Sequence, residues 1–170
     1  MADAAKNTSA MTQSESEMIN AVIYGIVRTL QIHCSVDAER CDWKEKEISQ
    51  NADKDYIILF GVMGQEITAC VNIEFSKPFL LDLMGSMLGE LITELTPEIE
   101  DEILSLVGFI FRKIKRQLNQ AGEHTHQLIP MVIKSSKMKN SFLSLGRIVN
   151  VPIDTSVGSF NVELGLGTNL

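Results

Sequence analysis

Residues 96–118 read TPEIEDEILSLVGFIFRKIKRQL, and this stretch decides the fold. Ile103, Val107, Ile110 and Ile114 recur every three or four positions, the period of a helix with one apolar face. Thr96 suits the N-cap, and Pro97 suits the first helical position, where a missing N–H costs nothing. Glu98, Glu100, Asp101 and Glu102 load the start with negative charge, while Lys113, Lys115 and Arg116 load the end with positive charge. That polarity matches the helix dipole. Gly122 is expected to stop the helix.

Outward from this helix the periods change. Upstream, Ser76 is expected to cap a short helix through Leu80, Leu83, Met84 and Met87 to Gly89. Before it, Tyr56–Val62 and Ile67–Phe75 are rich in β-branched and aromatic residues, with Met63-Gly64-Gln65 as the turn between them. Ile32–Ala38 and Trp43–Gln50 read as weaker strands. Met18, Ile19, Val22, Ile23, Ile26, Val27 and Leu30 set a first helix from about Glu15 to Gln31. Downstream, strands are expected at Gln127–Ile133, Phe142–Ile153 and Phe160–Leu166, the last two joined by the turn Asp154–Gly158. Residues 1–14 are small and polar and read as a disordered tail before a single domain over 15–170. The order α-β-β-β-β-α-α-β-β-β implies an α+β domain, an antiparallel or mixed sheet covered by helices.

Composition closes off several functions. A chain of 170 residues with 45% hydrophobic content is enough for one core and not two. Lys+Arg 15 against Asp+Glu 22 gives a net charge of −7, so no basic footprint for nucleic acid is expected. The longest apolar run, Ile103–Phe111, is far short of a spanning helix, and Met1–Ser14 lacks the pattern of a secretory signal. No membrane association is expected. Cys34, Cys41 and Cys70 have no metal-ligand spacing, and their odd number fits a reducing, cytoplasmic setting. Cys34 and Cys70 read as core thiols and Trp43 as an edge anchor. His124-Thr125-His126 is a metal fragment at most, without a third ligand nearby, and no metal site is expected.

Two patterns point to function. Pairing Arg28 with Arg112 lays Tyr24–Leu30 on Gly108–Ile114, with a strand after each helix, which suggests pseudo-twofold packing of two helices on one sheet. On the second of these helices, Asp101, Ser105, Gly108, Arg112, Lys115 and Asn119 fall in one narrow stripe at 100° per residue. Leu104 and Phe111 flank it on one side and Phe109 on the other. A face polar along its axis and apolar at its rims has the mixed character of a docking surface.

Several stretches here resemble the CheC/CheX family of chemotaxis phosphatases. They are Met87-Leu88-Gly89-Glu90, Thr96–Asp101 with the helix through Leu118, Leu128-Ile129-Pro130, Val151-Pro152-Ile153 and Phe160–Leu164. The resemblance covers nearly the whole chain from Glu15 and lies closer to the single-site CheX branch. It implies two long antiparallel helices packed on a mostly antiparallel sheet, and often a homodimer. The family's motif is Asp or Ser, three residues, Glu, two residues, Asn, and a Pro just over twenty residues later. By resemblance, the Glu contacts the active-site lysine of a phosphorylated CheY-like receiver, and the Asn aligns the water that attacks the aspartyl phosphate. Such chemistry asks mainly for orientation and electrostatics.

Asp101 and Pro130 match the outer positions of that motif, but Ser105 stands in the Glu position and Gly108 in the Asn position. Serine carries no charge for a lysine, and glycine has no side chain to hold a water. The expected function is therefore receiver binding through Asp101, Ser105, Gly108, Arg112 and Lys115, without efficient phosphatase activity. No cofactor of its own is expected, because the receiver would carry the Mg. Two alternatives stand beside this. Glu17-Met18-Ile19-Asn20 has the Glu-x-x-Asn spacing of a substitute catalytic pair, although it is out of register in the repeat. A structural dimer module without a receiver partner is the other.

Overall fold

The computed structural model describes residues 10–42, 44–45, 55–120, 125–134 and 146–168. Three helices, α1 (Gln13–His33), α2 (Lys77–Leu88) and α3 (Pro97–Gln120), accompany seven strands. The strands are β1 (Ala38–Arg40), β2 (Lys44–Glu45), β3 (Tyr56–Met63), β4 (Ile67–Phe75), β5 (His126–Lys134), β6 (Arg147–Thr155) and β7 (Gly158–Thr168). Every recorded pairing is antiparallel, in the order β1-β6-β7-β4-β3-β5, with β2 also on β6. This is the expected α+β arrangement.

Strand order has the symmetry that the suggested repeat implies. It reads the same from both ends once β1 is exchanged with β5, β3 with β6 and β4 with β7. The β3–β4 hairpin runs from the Tyr56–Phe75 pair to Met63–Thr68, and the β6–β7 hairpin from Arg147–Leu166 to Thr155–Gly158. At the middle, β4 and β7 pair Asn72 with Glu163, both buried. The strands after the two long helices, β1 and β5, lie at opposite ends of this order.

Alternation along the strands sends one set of side chains under the helices. Phe60 of β3, Val71 and Ile73 of β4, Val162 and Leu164 of β7, and Val149 and Val151 of β6 are buried in one core with Val22, Ile26 and Leu30 of α1 and Ile103, Ile110 and Ile114 of α3. Phe75, Phe79 and Phe160 close the α2 end, with ring centroids 4.9–5.6 Å apart. Glu17, Asn20 and Tyr24 of α1 meet Gln117 and Leu118, whereas His33 meets Phe109, so α1 and α3 run antiparallel. Gly25 allows the close crossing: a Cβ there would lie 2.6 Å from Ile114 Cγ1 and 3.0 Å from the Ile110 carbonyl oxygen.

The helix ends follow local chemistry. Ser76 Oγ accepts from the Phe79 N–H, and Gly89 closes α2 at φ +72°. Thr96 Oγ1 accepts from the Ile99 N–H at 3.4 Å and thereby caps α3. The backbone N–H of Glu98 itself, and then the Thr96 hydroxyl, hold the Glu98 carboxyl below its usual range.

Several expectations need correction. The first helix starts at Gln13, because Thr12 and Glu15 form a capping box, and Met11 packs against the core. Only residues 1–9 of the expected tail lie outside the described residues. The strand expected at Ile32–Ala38 is instead the last turn of α1 and its exit, with only Ala38–Arg40 paired. Ser35 takes φ +52° there and turns the chain. Cys34 is a fully buried core thiol at the α1 C-cap rather than in a strand. Burial pushes its pKa up to about 12. Cys70 is half-buried on the sheet face away from the helices, so it is not a core thiol. Met84 is in the core and Met87 packs against it. Trp43, Gly122, His124, residues 46–50 and Phe142–Leu145 lie outside the described residues.

Candidate functional site

Helix α3 brings its sequence stripe to the surface as the period requires. Asp101, Ser105, Arg112, Lys115 and Asn119 are exposed, and Gly108 is half-buried. Leu104, Phe109 and Phe111 at the rims are half-buried, while Ile103, Leu106, Val107, Ile110 and Ile114 face inward. The Ser105 hydroxyl donates to the Asp101 carbonyl oxygen at 3.0 Å, back onto its own helix. Gly108 has no internal neighbour: nothing lies within 4 Å of where its Cβ would sit. Close approach within the fold is therefore not why glycine stands there; Gly25 serves that role. The stripe has an open notch at its centre.

One residue joins the stripe from outside α3. His33, in the last turn of α1, stacks on Phe109 with ring centroids 4.1 Å apart and an interplanar angle of 11°. Arg112 holds its guanidinium 4.6 Å from the centroid of the same phenyl ring, a cation–π contact. Burial lowers the His33 pKa below 6.5, and the charges of Lys113 and Arg112 lower it further. Sequence reasoning missed His33 because Ile32–Ala38 read as a strand. A basic residue closing an amphipathic helix was the available signal.

Pro130 lies in β5, at the end of the strand order. Beside it the β3–β5 register shifts between Leu59 and Gly61. A residue without an N–H is tolerated at such an edge or bulge.

The substitute pair sits elsewhere. Glu17 and Asn20 line a groove of about 360 Å³ with Ala21, Tyr24, Gln117 and Leu118, between the start of α1 and the end of α3. Both are engaged by their own chain: Asn20 Oδ1 accepts from Arg40 Nη1 at 2.7 Å, and Glu17 Oε1 accepts from Gln13 Nε2 at 2.7 Å. Elsewhere, Cys41 Sγ donates to Asp154 Oδ2 at 3.2 Å, and this bond with the carboxylate raises the thiol pKa. His126 is exposed. Among the described residues no group of three or more His, Cys, Asp or Glu is placed to hold a metal, and no helix is long and apolar enough to cross a membrane.

No protein-family model matches the sequence, and a search of curated proteins finds no match either. Solved structures do match. A CheC-like superfamily protein from Shewanella sp. PV-4 is similar with a TM-score of 0.77 at 20% identity, over 92% of this chain and 99% of that chain. The chemotaxis protein CheX from Vibrio vulnificus gives 0.76 at 21% identity, over 88% and 99%. A chain of the CheX–CheY–BeF3–Mg complex from Borrelia burgdorferi gives 0.71 at 15% identity, over 88% and 97%. With two antiparallel helices over an antiparallel sheet and near-complete coverage of those chains, this chain has the fold of the CheC and CheX chemotaxis proteins.

Proposed function

We propose that this chain binds a phosphorylated CheY-like receiver through the α3 stripe and has no efficient phosphatase activity of its own. The observation that carries the reading is the exposed stripe from Asp101 to Lys115, with a self-bonded Ser105 and an open Gly108 at its centre. Fold likeness to a chain of a CheX–CheY complex supports the partner class. Charge supports it too. A chain of net charge −7 gathers Arg112, Lys113, Lys115 and Arg116 within five positions of α3, which suits an acidic phosphoacceptor face. Neither Ser105 nor Gly108 offers a carboxylate for a lysine or an amide for a water, so docking proceeds without the groups that orient hydrolysis. The receiver brings its own Mg, and this chain uses no cofactor. Such a partner implies a cytoplasmic setting.

Titration of beryllofluoride-activated CheY-like receivers tests this reading. Arg112→Glu should weaken binding about tenfold, equivalent to about 1.4 kcal/mol, and Gly108→Leu should block approach. The control, Ile110→Ala, should cost about 2–5 kcal/mol of stability through a cavity while the folded protein still binds. Unchanged affinity for both stripe variants overturns the reading. So does dephosphorylation of the receiver accelerated more than about tenfold.

The second reading, phosphatase activity through Glu17 and Asn20, is favoured by their shared groove. It is opposed by the Arg40 bond that occupies Asn20 Oδ1. Acceleration that Asn20→Ala abolishes would establish it. We also propose a twofold homodimer through the sheet, supported by strand β5 at the end of the order with Met131 exposed on it. Sedimentation at micromolar concentration should give twice 18.9 kDa; a lone monomer contradicts it. If no receiver binds while the dimer persists, a purely structural dimer module is the remaining account.

A further inference from the structure

We infer that the α3 stripe shields a receiver's acyl phosphate from hydrolysis, an effect opposite in sign to the activity that the family resemblance implies. The inference rests on the receiver-docking reading above and concerns what docking does to the phosphoryl group. Spontaneous loss of an acyl phosphate needs a water in line with the P–O bond, so a face that covers the group slows the reaction unless it positions that water itself. At the centre of this stripe nothing does so. The Ser105 proton is committed to the Asp101 carbonyl oxygen at 3.0 Å, and Gly108 presents only backbone.

The same features let the group come close. With nothing within 4 Å of a Cβ at Gly108, a loop bearing a phosphoaspartate can lie directly on the helix. One turn further on, Arg112 is held 4.6 Å from the Phe109 ring centroid, and that ring is itself stacked on His33 at 4.1 Å. A guanidinium laid against an aromatic ring is partly ordered before binding and presents a planar set of donors to phosphoryl oxygens. The guanidinium holds the phosphoryl group in place, while neither Ser105 nor Gly108 aligns a water for attack and the docked surface keeps solvent out of the in-line position. Docking that does only this prolongs the phosphorylated state.

The test measures the half-life of the aspartyl phosphate on receivers charged with a small-molecule phosphodonor, alone and with saturating full-length protein. Binding is measured separately with the beryllofluoride-activated receivers. We expect the half-life to lengthen about threefold or more. Arg112→Glu and Gly108→Leu should return it towards the free value, while Asp82→Asn at an exposed position of α2 should leave the lengthening intact. Binding with an unchanged or shortened half-life overturns the shielding inference and leaves the docking reading standing. Acceleration abolished by His33→Gln would overturn it in favour of an imidazole acting on the water. Absence of binding by every receiver overturns both.

Discussion

His33 lies against Phe109, partly removed from water, with Lys113 and Arg112 opposing its protonation. Its folded pKa is held below the usual 6.5, so the unfolded chain binds the proton more readily. This group therefore removes stability as pH falls through about 6.5 and below, and costs nothing well above it. Urea unfolding between about pH 7 and pH 5 should show part of the acid loss of stability disappear in His33→Gln; an identical pH slope contradicts this. The place of Ser105 and Gly108 on the outer face of α3 was legible in the sequence, because a helix of fixed period leaves no freedom in which face they take. His33 was not. Ile32, Cys34, Val36 and Ala38 alternate like a strand, and only packing of α1 on α3 carries the helix on to His33.

At the scale of the helix pair, two glycines of similar appearance have opposite roles. Gly25 sits where α1 crosses α3, and a methyl there would meet Ile114 Cγ1 at 2.6 Å. Gly108 faces open space. Gly25→Ala should therefore cost about 1–3 kcal/mol through overpacking, while Gly108→Ala should gain up to about 1 kcal/mol of helix propensity. Denaturant titration separates the two outcomes, and equal effects would contradict the assignment. Interhelical distance is a tertiary property, so the sequence alone does not tell these two glycines apart. The elements themselves were more legible. Thr96-Pro97 and Ser76 marked their helix starts correctly, while the capping box at Thr12 and Glu15 was overlooked in a stretch that composition alone labels as tail.

Across the molecule, the strand order has the twofold symmetry that the likeness between Tyr24–Leu30 and Gly108–Ile114 suggests. Each long helix leads into a strand at one end of the order, and each half contains one antiparallel hairpin. Strand order itself was not legible, since β4 and β7 pair across a long sequence separation that no local pattern encodes. The two long helices differ in chemistry. On α3 the stripe is cationic past Gly108, and its start lies open. The corresponding stretch of α1 contributes Glu17, Ala21 and Tyr24 to a groove. On the proposed reading a receiver docks on the first of these faces and not the second. Amide and methyl NMR shift mapping of the full chain, with and without a beryllofluoride-activated receiver that binds it, tests this directly. Shifts should concentrate at Asp101, Ser105, Gly108, Phe109, Arg112 and Lys115. Shifts confined to Glu17, Asn20, Tyr24 and Gln117, or to the sheet edge at β5, would contradict it.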